Sequence, residues 1–132
     1  MRIAMILALL LVSVDSYCQS LVERKTATYQ CFNSLPIIPQ LEWLNTIPEE
    51  LEGGRIVMMA IYNVDDHQVI IKRLQRSGYE FIGIRNVVGN DGAKRDFVVY
   101  GNYNEDQTEC CSLEFVQDEE QAFVVIEHVK LD

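Results

Sequence analysis

Four runs of strand length fill the C-terminal part of the chain, and short polar turns separate them. They are residues 79–88 (YEFIGIRNVV), 96–103 (DFVVYGNY), 110–116 (CCSLEFV) and 122–131 (AFVVIEHVKL). β-Branched and aromatic side chains dominate them, which suits a pleated, half-buried surface. Asn90-Asp91-Gly92, residues 104–106 and Asp118-Glu119-Glu120 stand between them as turns. Consecutive strands joined by short turns pair antiparallel, so this part reads as a four-strand meander. Asp91-Gly92 is expected to form a type I′ hairpin turn, because both residues tolerate positive φ.

A fifth run, residues 55–62 (RIVMMAIY), is apolar throughout and fits a strand buried on both faces. A helix is expected to follow it. Asp65 serves as its N-cap with Gln68 three residues on, Val69, Ile70 and Leu74 form its apolar stripe, and Gly78 stops it. Lys72, Arg73 and Arg76 suit the negative end of its dipole. The expected fold class is α+β. A mainly antiparallel sheet of about five strands, in the order β-α-β-β-β-β, carries one helix on a face.

The other end of the chain reads differently. Residues 1–18 have the form of a signal peptide: Arg2, an uncharged apolar run (IAMILALLLV), then Ser16-Tyr17-Cys18. The apolar run is too short to span a bilayer as a stable helix. Residues 19–54 read as an irregular segment broken by Pro36, Pro39 and Pro48, and residues 55–132 as the single α+β domain. Within the irregular segment, residues 40–45 are expected to form a short helix or turn that covers an edge of the domain. The expected location is secreted or periplasmic. Cleavage after Ser16 and cleavage after Cys18 both fit. A lipoprotein anchored through Cys18 is a further reading, against which the bulky Tyr17 speaks.

Outside the cytoplasm a disulfide persists. One bridge from Cys31 to Cys110 or Cys111 is expected, and spacing does not choose between them. Period-two alternation puts Cys111, Leu113 and Phe115 on the core side, and Cys110, Ser112 and Glu114 on the solvent side. It also puts Glu127 on an otherwise apolar strand face, where a basic partner such as Arg85 is expected to meet it.

The formal net charge is −9. Such a chain repels phosphate backbones and anionic lipid and accepts basic protein partners. No nucleic acid, and no transmembrane segment after cleavage, is expected. His67 and His128 are far apart and belong to no zinc-ligand spacing. No cysteine or serine sits in a protease or hydrolase signature. Asp65-Asp66, Glu105-Asp106 and Asp118-Glu119-Glu120 lie at turns, where solvent leaves carboxylates without the raised pKa that acid catalysis needs. Residues 91–96 (DGAKRD) lack the alternating oxygens of a calcium loop, and Gly89 and Gly92 precede no strand-to-helix step. The sequence therefore assigns no catalytic, cofactor-binding or metal-ligating residue, and an enzyme is not the expected class.

Residues 77–132 resemble a family of small secreted or envelope domains of unknown function found in Bacteroidetes. The shared features are the helix end Ser77-Gly78-Tyr79-Glu80, the hairpins after it, and the terminal strand Ala122-Phe123-Val124-Val125-Ile126. The resemblance implies an exported α+β domain. The order of one helix before four antiparallel strands also resembles cystatins, and Asn86-Val87-Val88-Gly89 is similar to their Gln-x-Val-x-Gly hairpin, one residue short and without the glutamine. The expected function is that of a secreted or envelope-associated, non-catalytic binding protein with a protein partner. The alternative is a cystatin-like protease inhibitor acting through the hairpin at residues 87–92. The oligomeric state stays open.

Overall fold

The computed structural model describes residues 20–117 and 121–131. The signal at residues 1–18 and the turn at residues 118–120 lie outside these. The first described element is a helix over residues 20–33, α1. Two short strands follow, β1 (Glu42–Trp43) and β2 (Glu49–Glu50). The first long strand is β3 (Ile56–Tyr62), and after a 3-10 turn (Val64–Asp66) comes α2 (His67–Arg76). Four long strands complete the chain: β4 (Glu80–Val88), β5 (Lys94–Tyr103), β6 (Glu109–Gln117) and β7 (Ala122–Lys130).

The architecture is α+β, with every strand pair antiparallel. The sheet order is β1-β3-β7-β6-β5-β4, and β2 also pairs with β3. Four antiparallel steps separate β3 from β4, so these two strands point the same way. Parallel strands need a crossover, and α2 supplies it. Ile70, Ile71 and Leu74 of α2 are buried in one cluster with Met58, Ala60, Leu113, Phe115, Val124 and Ile126. Gly78 takes φ +97°, and Tyr79 N–H bonds the Leu74 carbonyl at 3.0 Å, closing the helix as its glycine foretells.

The start of α2 differs from expectation. Asn63 caps the 3-10 turn ahead of it, its side chain accepting from Asp65 N at 2.9 Å, and Asp66, not Asp65, stands at the cap position of α2, without a side-chain cap bond. The 3-10 turn intervenes, and Val69 stays exposed while Ile71 is buried. The β4–β5 turn is longer than a type I′ hairpin. Only Gly92 takes positive φ there, and the loop closes with Gly92 N–H on the Gly89 carbonyl and Gly89 N–H on the Ala93 carbonyl.

The stretch at residues 19–54 is more ordered than its prolines suggest. Leu21, Lys25, Thr28, Cys31 and Phe32 recur at helical spacing on the inner side of α1. The Thr28 hydroxyl donates to the Ile56 carbonyl at 3.2 Å, and Arg24 donates to the Gly54 carbonyl. Trp43 meets the Phe32 ring edge-on at 4.7 Å. Residues 42–43 form an edge strand rather than a helix.

Cys31 is bonded to Cys111, a choice the spacing left open. Cys110 is a free, buried thiol, contrary to the expected exposure. Gly101 explains this: a Cβ there would lie 2.3 Å from Ile82 Cδ1 and 2.8 Å from Cys110 Sγ. The bare backbone lets Ile82 and Cys110 pack together over it.

The bridge links residues 80 apart in sequence. By loop entropy such a bridge contributes about 4 kcal/mol. Replacing both Cys31 and Cys111 by alanine is expected to lower unfolding free energy in urea by about 2–4 kcal/mol. An unchanged midpoint would show that α1 needs no covalent tie.

Candidate functional site

The two outer edges of the sheet are finished differently. On the β3 side, β1 and β2 pair with the strand. Leu44 N–H bonds the Met59 carbonyl at 2.8 Å, and the Asn45 side chain takes Met59 N–H at 2.9 Å. Short pieces bearing Glu42, Glu49 and Glu50 thus close that edge, a usual way to prevent sheet extension. On the other side β4 ends the sheet. It is nine residues long, and Phe81, Ile82, Ile84 and Val88 are 55%, 44%, 59% and 64% exposed. The register slips between Phe81 and Gly83, so Ile82 is an extra residue that bends the strand near its start. Beyond this bulge, residues 83–88 run straight along β5. The chemistry of this edge is a row of backbone donors and acceptors framed by apolar side chains.

An ionic network lies on the sheet face turned away from α2. Arg55, just before β3, donates Nε and Nη2 to Glu127 at 3.1 and 3.2 Å, and Nη2 also reaches Glu114 at 3.1 Å. From β4, Arg85 donates to the other Glu114 oxygen at 2.7 Å, its guanidinium 5.3 Å above the Phe97 ring. The register makes Glu114 pair with Val125, two residues from Glu127, so both carboxylates share a side. Glu127 therefore finds Arg55, while the expected Arg85 binds Glu114. Glu114 is buried, although alternation assigned it to solvent. Two guanidiniums balance two carboxylates, and the hydrogen bonds that Arg55 gives to Glu127 hold its pKa above the ordinary value. This network ties the exposed edge to the centre of the sheet.

His67 lies in a cleft of about 740 Å³ between the start of α2 and the foot of the β4–β5 hairpin. Phe115 and Val98 form apolar wall, and Asp65, Lys94 and Asp96 line it with charge. Tyr62 Oη is 3.0 Å from His67 Nδ1, and the His67 ring meets Phe115 edge-on at 5.6 Å. Burial raises the Tyr62 pKa and lowers that of His67, so phenol and imidazole are both neutral near pH 7.

His128 and Cys110 line a smaller cleft of about 310 Å³, together with the disulfide. His128 pairs across the sheet with Cys111, and Cys110 pairs with Val129, so imidazole and thiol project to opposite faces. His128 Nε2 meets Glu109 at 3.2 Å. Burial pushes the Cys110 thiol above its ordinary pKa, the reverse of what a nucleophile needs. Of the turn carboxylates, Asp91 accepts from Ala93 N and Asp106 from the Thr108 hydroxyl, which holds both pKa values down. Among the described residues no group of three His, Cys, Asp or Glu side chains is placed to hold a metal ion, and no helix is long and apolar enough to cross a membrane.

No protein-family model, curated protein or solved structure matches this chain.

Replacing Glu114 by alanine leaves Arg55 and Arg85 without their shared carboxylate. Because both arginines are partly exposed, the expected loss is about 2–3 kcal/mol, read from urea unfolding, below that of a fully buried pair. A loss under about 0.5 kcal/mol would place the network among inert surface pairs. His67 is expected to titrate below its ordinary 6.5 in an NMR pH series. The folded pKa is the lower one, so the unfolded chain binds the proton first. The stabilising contribution of neutral His67 is complete above 6.5 and is lost as pH falls through the folded value. A value above 6.5 would contradict the burial.

Proposed function

We propose that the protein is a secreted or envelope-associated binding protein that captures an extended segment of another protein along β4. The observation that carries this is the asymmetry of the sheet: one edge is closed by short acidic strands, and the other is long, apolar and, among the described residues, bare. An added strand would satisfy the outer backbone groups of residues 83–88. Its apolar side chains would sit beside Ile84 and Val88, and those of opposite parity beside Val87 and Arg85. The disulfide and the signal-like leader support an oxidising location outside the cytoplasm.

Charge argues for a partner other than a second copy. Residues 80–96 carry Glu80, Asp91 and Asp96 against Arg85, Lys94 and Arg95, so this hairpin is balanced, while the whole chain is −9. Two copies repel at long range, and a neutral or basic segment does not. One observation favours inhibition through residues 87–92 as a second reading: the loop is braced, with Asp91 accepting from Ala93 N and paired with Arg95.

The test uses the mature protein and a displayed library of random ten-residue peptides. Selected peptides are expected to alternate apolar residues, to protect amides of residues 83–88 from exchange, and to bind Ile84→Lys about tenfold or more weakly. Binders indifferent to Ile84→Lys, or a stable dimer joined through β4, would overturn this reading. Inhibition of a papain-like protease that Gly89→Ala removes, with Ile84→Lys still active, would favour the second.

A further inference from the structure

The His67 cleft contains a hydrogen-bond donor whose direction is set from behind. Tyr62 is buried and stays protonated, and a phenol is a stronger proton donor and a weaker acceptor than a neutral imidazole nitrogen. The phenol keeps one proton to give, and His67 Nδ1 lies 3.0 Å away. The Tyr62 hydroxyl therefore donates to Nδ1. An accepting Nδ1 is unprotonated, so in the neutral ring the proton sits on Nε2. Among the described residues no side chain or carbonyl takes that Nε2 proton.

The rest of the cleft agrees with an acceptor as ligand. Lys94 lies on the hairpin side, facing the α2 side where His67 sits, and Phe115 and Val98 offer apolar wall between the two. Asp65 and Asp96 also line the cleft. Together with Lys94 and Arg95 they make its charge near zero, which disfavours polyanions. The volume of about 740 Å³ lies within the usual range of small-molecule sites.

We propose that this cleft binds a small carboxylic acid or amide with an aromatic or other apolar body. His67 Nε2–H bonds the ligand oxygen, Lys94 adds attraction for a carboxylate, and the body packs on Phe115 and Val98. Tyr62 is a positioning residue, since it acts through the His67 tautomer. This site is independent of β4 and stands or falls without it.

The test is an NMR titration of the mature protein with phenylacetate, phenylacetamide and benzylamine. Before ligand is added, the ¹⁵N pattern of the His67 ring is expected to show the proton on Nε2. A proton on Nδ1 would overturn the donor. Phenylacetate and phenylacetamide are expected to shift the His67 ring and the amides of residues 93–98, the acid binding more tightly. Benzylamine is expected to leave them unmoved at up to about 10 mM. His67→Phe is expected to weaken both oxygen ligands about tenfold or more, and Lys94→Gln to remove the preference for the acid. Lys94 is exposed, so its variant folds whatever becomes of His67→Phe. Tyr62→Phe is expected to shift the ring proton toward a mixture of tautomers while the apolar contacts remain. No response to either oxygen ligand, binding that survives both variants, or a preference for benzylamine would overturn the proposal.

Discussion

The connection from β3 to β4 sets the rest of the molecule. The two strands point the same way, so the chain cannot turn back between them and must cross the sheet as α2. The meander then returns strand by strand until β7 pairs with β3. That closure buries β3, β7 and β6 in the middle and leaves β4 as the last strand. The start of α2 also inherits its place from this crossing, above the end of β3, where Tyr62 meets His67.

Two ties hold the periphery to this centre. The Cys31–Cys111 bridge fastens α1 to β6, helped by the Thr28 bond to β3. The arginine–glutamate network fastens both flanks to β6 and β7, Arg55 from one side and Arg85 from the other. Glu114 is the shared member, and a carboxylate so buried is tolerated because two cations reach it. Arg85 thereby braces β4 from inside while the outer backbone of the strand stays available.

Much of the fold was legible where one physical rule dominated. The long strands announce themselves by alternation and turns, α2 by its stripe and Gly78, and the strand buried on both faces by its unbroken apolar run. The helix at residues 20–33 was hidden because its inner side mixes Leu21, Cys31 and Phe32 with the polar Lys25 and Thr28, and so shows little hydrophobic period. The burial of Glu114 and Cys110 was hidden for another reason. Alternation says which residues share a face, and says nothing of long side chains from other strands that cover it. Gly101, a bare residue within a strand, was the local sign of close approach by Ile82 and Cys110. The candidate edge was invisible in sequence, because residues 80–88 read like any half-buried strand until the crossover decides which strand is last. His67 was seen as a first-turn residue, but its contact with Tyr62 depends on how the 3-10 turn carries the chain from the end of β3 into α2.

Amide hydrogen exchange on the free protein tests the central claim most directly. A bare β4 edge predicts rapid exchange at alternate amides of residues 83–88, with their neighbours protected by β5. It predicts slow exchange at Met59, whose amide on the opposite edge is held by Asn45. Uniform protection along β4 at micromolar protein would contradict the account, because another strand would already be paired there.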